Sequence, residues 1–178
     1  MQLGQNGISE SSINLKIVQK TQYLLEQAGC TVILTRSDEN GIYEEESSSI
    51  RNKKISDMNN RVDIGNNSEA DIFVSVHLNK INQEQYWGWQ TFYNNKDTSK
   101  KLATAIQMGL NTCIKRKNDR QPLRIENKYL MENVQIPATT VECGFLSNLE
   151  ESKLLQTEEY QNKISWGIYL GIINYFME

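Results

Sequence analysis

With 178 residues, 38% hydrophobic and 23% charged, the sequence has the length and apolar content for one domain with its own core. A net charge of −3 leaves no basic surplus to hold a polyanion, which argues against nucleic acid as a partner. No apolar run approaches the roughly 20 residues that cross a bilayer, and the opening MQLGQNGISE lacks the basic and apolar regions of a signal peptide.

Over residues 11–28, Ile13, Ile17, Leu24 and Ala28 recur at helical spacing, widened by Val18 and Leu25, and Gly29 stands where a helix-ending glycine belongs. CTVILTR (30–36) is a β-branched run that predicts a strand, and the acidic, serine-rich SDENGIYEEESSSIRNK predicts a solvated loop. A second helix is predicted over 50–66, with Ile55, Met58, Val62 and Ile64 roughly on one side. ADIFVSVHL is the next predicted strand, NKINQEQYWG a loop, and WQTFY (89–93) alternates like a strand. Leu102, Ala105, Ile106, Met108 and Leu110 predict a helix over 99–114.

KRKNDRQPLR then reads as a basic connector, a solvated turn rather than a binding patch. KYLMENV (128–134) predicts a short strand, and Pro137 ends the loop before the strand ATTVECGFLSN. A last helix is predicted over 150–176, broken near 155–160. Nearly all-apolar strands separated by helices imply a single α/β domain over 1–178. Its sheet is expected to be mainly parallel and flanked by helices on both faces.

Functional groups in such sheets collect at the carboxyl ends of strands. Two candidates stand there: His77, the only histidine in the chain, after IFVSV, and Glu142 after ATTV, followed by Gly144. For His77 the plain alternative is a core histidine satisfied by a backbone carbonyl. For Glu142 it is a pairing with Arg36 or Arg61. A third candidate, Glu10 in GISESSINL, equally suits the first turn of a helix, where acidic residues offset the positive end. Together the three suggest zinc held by imidazole and carboxylate, with a second carboxylate free to move protons. The cysteines Cys30, Cys113 and Cys143 lack metal-type spacing. Cys143 with His77 is a remote alternative as a cysteine-hydrolase pair.

The stretches RVDIGNNSEADIFVSVHLN, GWQTFY, IPATTVECGFLSN and YQNKISWGIYLGIINYF, in that order, resemble the zinc-dependent N-acetylmuramoyl-L-alanine amidases of the amidase_3 type. Among these the chain is most similar to the CwlD-like amidases of spore-forming bacteria, which act on spore cortex peptidoglycan. The resemblance implies hydrolysis of the amide between N-acetylmuramic acid and L-alanine. It further implies Zn2+ as cofactor, peptidoglycan as partner and an extracytoplasmic location. By the family's E..INL motif, on Glu10, Ile13, Asn14 and Leu15, Glu10 would be a zinc ligand. By S.H.N, on Ser75, His77 and Asn79, His77 would be the second, and by E.GF.SN, on Glu142, Gly144, Phe145, Ser147 and Asn148, Glu142 would be the acid/base.

One departure stands out. The family opens with a strand ending in a Gly-His-Gly-Gly-like turn whose histidine is the remaining ligand, whereas this chain starts at MQLGQNG and has no second histidine. The expectation is therefore a domain whose first strand and third ligand, a histidine upstream of Met1, are missing. An inactive or weakly active peptidoglycan-binding relic is the alternative this raises.

Overall fold

The protein, seen as a computed structural model, is described over residues 9–43 and 49–177. Positions 44–48 of the acidic loop, and everything before Ser9, lie outside the described residues.

Helix α1 (Glu10–Gln27) starts at Ser9, whose Oγ accepts the Ser12 N–H at 3.4 Å. It ends at Gly29, whose φ of +86° is cheap only for glycine. Its buried stripe, Ile13, Ile17, Thr21 and Leu25, follows the helical period. Helix α2 (Ile50–Asn67) precedes strand β1 (Phe73–Asn79), and strand β2 (Gln90–Tyr93) leads to α3 (Asp97–Cys113). The two-residue strand β3 (Leu123–Arg124), the short helix α4 (Tyr129–Asn133) and strand β4 (Ala138–Phe145) follow. Helices α5 (Leu149–Leu155) and α6 (Glu158–Met177) close the chain, broken where the sequence places the break.

The sheet has the order β1-β4-β2-β3. β4 lies parallel to β1 but antiparallel to β2, and β2 lies parallel to β3, so the α/β sheet is mixed with two parallel pairings. Helices cover both faces, as expected. Val141 and Cys143 of β4 point into the main core with Ile17 of α1, Ile106 of α3, and Ile164 and Ile168 of α6. Ala138, three residues before Val141 and so on the opposite face, meets Val62 of α2 and Leu130, Met131 and Val134 of the α4 region. Between α3 and α6 the helix backbones come into direct contact at glycines: a Cβ on Gly109 would sit 2.2 Å from the Gly167 carbonyl oxygen.

Two expected strands are not strands. Residues 30–36 join no ladder among the described residues, although Cys30 and Val32 still pack on the core. A β-branched run supplies propensity, but a strand also needs a partner with which to share hydrogen bonds. Residues 129–133 form α4 instead, because Leu130, Met131 and Val134 bury one helical face. Asn127 turns the chain at φ +59°, and its N–H is taken by the Glu132 carboxylate at 2.7 Å.

Candidate active site

β1 and β4 run side by side with His77 in register with Glu142. Register partners share a sheet face, so both side chains emerge together near the carboxyl ends of their strands. The first turn of α1 brings in Glu10, whose Oε1 lies 3.3 Å from His77 Nδ1. The same oxygen accepts the Leu78 N–H and the Asn14 Nδ2–H, each at 3.3 Å. His77 Nε2 lies 3.0 Å from Ser75 Oγ.

The plain alternatives fail on this geometry. The His77 side chain is 49% exposed, so it is no core histidine. Arg61 is committed to Asp57 at 2.7 Å, and Arg36 to the Ser11 carbonyl at 2.7 Å, so the pairings suggested for Glu142 are not made. Cys143 is fully buried in the core, its thiol pushed far up by burial and raised further by Glu142 and Glu151. A thiol held protonated on the opposite face from His77 is no nucleophile. The cysteine-hydrolase alternative is thereby corrected.

The two carboxylates are tuned apart. Burial raises the Glu10 carboxyl, but the hydrogen bonds to His77 and Leu78 and the charge of His77 outweigh it and hold it below the ordinary range. Burial raises Glu142, partly offset by His77, and Glu10 and Lys128 add smaller opposing effects, so Glu142 stays above its ordinary value. Glu142 Oε2 is buried with no hydrogen-bond partner among the described residues. An unpaired buried carboxylate is costly to the fold, and a raised carboxyl is what a proton-transferring group needs.

Could these residues hold a metal? An imidazole beside a carboxylate is the donor chemistry zinc takes, and Glu10 and His77 already converge. Among the described residues no three His, Cys, Asp or Glu side chains gather as a metal-binding group. The donor types fit; among the described residues their number is one short of the usual three.

Two residues at this site escaped the sequence reading. The antiparallel pairing of β2 with β4 puts Gln90 opposite Glu142, extending one row of side chains from His77 through Glu142 to Gln90. Gln90 Nε2 is held by the Gln121 carbonyl at 2.9 Å. Nothing in WQTFY announces that register. Glu151 is the second, with 0% exposure. Its carboxylate accepts the Gly88 N–H at 2.8 Å and the Phe145 N–H at 2.8 Å, lashing the loop after β1 to the turn after Glu142. Asn148 with Glu151 three residues on is a capping-box spacing that could have drawn attention. Asn148 Oδ1 does accept the Glu151 N–H at 2.9 Å, but the Glu151 side chain serves the two loops instead of reaching back.

Comparison with known proteins places the chain in a family. The profile of the amidase_3 family, described as N-acetylmuramoyl-L-alanine amidase, matches residues 2–174. The germination-specific N-acetylmuramoyl-L-alanine amidase of Bacillus subtilis (strain 168) is 35% identical over 170 residues, spanning 95% of this chain and 71% of its own length. The solved structure of the CwlD amidase from Clostridioides difficile in complex with the GerS lipoprotein matches with a TM-score of 0.95 at 42% identity, covering 99% of this chain and 91% of that one. An N-acetylmuramoyl-L-alanine amidase from Clostridium difficile 630 matches with a TM-score of 0.85 at 28% identity, over 100% of this chain and 90% of that one. On the match of the family profile and of these relatives over nearly its whole length, the chain belongs to the N-acetylmuramoyl-L-alanine amidase family.

Proposed function

We propose that this chain hydrolyses the amide joining N-acetylmuramic acid to L-alanine in peptidoglycan, with zinc held by Glu10 and His77 and with Glu142 as acid/base. The observation that carries the proposal is the convergence of these three side chains at one end of the sheet in a chain of this family. The name of the Bacillus subtilis relative supports germination, and hence cortex peptidoglycan outside the cytoplasm, as the setting. Among the described residues no helix is long and apolar enough to cross a membrane.

Bound zinc supplies Lewis acidity, polarising the scissile carbonyl and lowering the pKa of a water towards about 7. The protein's own residues do the rest. Glu142, with its raised pKa, takes a proton from the attacking water and delivers it to the departing amine nitrogen of L-alanine. Asn14 and the Leu78 N–H hold the Glu10 carboxylate in place beside the imidazole, and Ser75 steadies the ring from the other nitrogen.

Zinc titration tests the ligand assignment. Glu10→Ala and His77→Ala are each expected to weaken zinc binding at least tenfold relative to the parent protein, as read by elemental analysis and competition with a chelating dye. Unchanged affinity in either variant would remove that residue from the ligand set.

A second reading is a peptidoglycan-binding protein with little or no hydrolytic activity, since among the described residues Glu10 and His77 are one donor short of the three protein ligands usual at catalytic zinc. Purified cortex peptidoglycan separates the two. Release of stem peptides marks the amidase, whereas co-sedimentation without release marks the binder.

A further inference from the structure

The basic connector after α3 is not a freely solvated turn. Five basic residues against one acidic lie within 115–124. The segment is folded against the segments that frame the candidate site. Asn118 Nδ2 donates to the Trp89 carbonyl at 2.7 Å and its Oδ1 accepts the Arg120 N–H at 3.3 Å. The Gln121 carbonyl holds Gln90, the neighbour of Glu142 across the sheet.

Arginines of this connector lie over aromatic rings. The Arg116 guanidinium is 3.8 Å from the Trp87 ring centroid, and that of Arg120 is 4.8 Å from the Phe145 ring. Phe145 is stacked in turn with Tyr86, 6.2 Å between centroids and 30° between planes. A guanidinium lying on a ring keeps its plane while its N–H groups still point outward, ready for a carboxylate fork.

The connector's other ion pairs single out Arg120. Arg116 pairs with Glu150 at 3.5 Å, Lys117 with Asp119 at 3.2 Å and Arg124 with Glu126 at 3.2 Å. Among the described residues no carboxylate lies within ion-pair distance of Arg120. The buried Glu151 feels Arg120 electrostatically, but its oxygens are occupied by the Gly88 and Phe145 amides. So Arg120 is a cation with no ion-pair partner among the described residues, on the segment that braces Gln90.

We propose that Arg120, held over the Phe145 ring, is a substrate subsite that receives a carboxylate of the stem peptide whose first amide is presented to Glu142. The inference rests on the amidase reading and names the part of the substrate that the connector recognises. Peptides bearing a free carboxylate close to the scissile amide are then preferred over amidated ones.

Calorimetric binding of the cleavage product tests it without turnover. The probes are an L-Ala-D-Glu peptide with free carboxylates and the same peptide fully amidated, each titrated into the parent protein and into Arg120→Gln. Charge-assisted, bidentate pairing predicts that amidation weakens binding about tenfold or more in the parent. Arg120→Gln should weaken the free acid by a similar factor and leave the amide unchanged. The amide comparison in the parent stands even where the variant folds poorly. Equal affinity of the two peptides for the parent, or no measurable binding of the free acid, overturns the subsite. So does an equal loss for both peptides in Arg120→Gln. The amidase reading stands or falls separately, on release of stem peptides from peptidoglycan.

Discussion

Glu142→Gln in zinc-loaded protein is expected to reduce hydrolysis of peptidoglycan by about 10²–10⁴-fold, the usual span for a general acid/base. Glutamine has the shape of glutamate but cannot accept the water's proton, so the loss is chemical rather than structural. The surroundings favour the substitution sterically and electrostatically. Glu142 Oε2 is buried and unpartnered among the described residues, and burial already disfavours its charge. Removing that charge therefore leaves stability unchanged or slightly raised. Zinc content should also persist, because Glu10 and His77 are untouched. The measurement pairs stem-peptide release with elemental analysis on the same sample. Loss of zinc together with activity would make Glu142 a ligand, and full activity would end its role altogether.

The largest effect on folding is expected at the seam of α3 and α6. A Cβ on Gly109 would lie 2.2 Å from the Gly167 carbonyl oxygen and 2.8 Å from the Gly171 nitrogen. One on Gly171 would lie 2.3 Å from the Ile106 Cα. All of these are backbone atoms, so no side chain can swing aside and the helices must separate. Between them they carry seven of the seventeen buried residues of the main core, with Leu102, Ile106 and Leu110 on α3 and Tyr160, Ile164, Ile168 and Ile172 on α6. Gly109→Ala should cost roughly 3 kcal/mol or more, at the upper end of overpacking, which lowers Tm by about 6–12 °C in a domain of this size. Gly65→Ala is the control. Its nearest obstacle at 2.9 Å is the ring of Phe73, a side chain that can shift, so its loss should be much smaller. Thermal melts of the three proteins decide it, and a Gly109→Ala melt matching the parent would mean that the seam can open freely.

The long helices were legible in the sequence because each carries its own evidence. The stripe of Ile13, Ile17 and Leu25 and that of Leu102, Ile106 and Leu110 are local patterns. Strands β1 and β4 were legible for the same reason, being apolar on both faces. What the sequence withheld is relational. Residues 30–36 have the composition of a strand, yet pairing depends on what lies beside them. The antiparallel neighbourhood of β2 and β4, and with it the place of Gln90 next to Glu142, is a property of two segments at once. Residues 128–134 misled because Leu130, Met131 and Val134 fit a short strand in isolation, and only the apolar partners on α2 select the helix. At the site, His77 and Glu142 showed themselves as polar endings to apolar runs. Glu10 needed the family resemblance, since a carboxylate in a first turn is commonplace. Glu151 left only its capping spacing, because the two amides it binds lie 63 and 6 residues away in the chain.

The bond from the Leu78 N–H to Glu10 Oε1 ties the polypeptide ladder to the chemistry. Leu78 belongs to β1, an edge strand whose ladder partner among the described residues is β4 alone, and this amide is satisfied by a side chain rather than by a strand. Its deuterium exchange therefore follows the seating of one carboxylate. Exchange is slow while Glu10 stays docked against the imidazole and fast whenever the first turn of α1 frays or the side chain swings away. The assembly of the site thus becomes visible at a single backbone proton, in a sample holding neither metal nor cell wall.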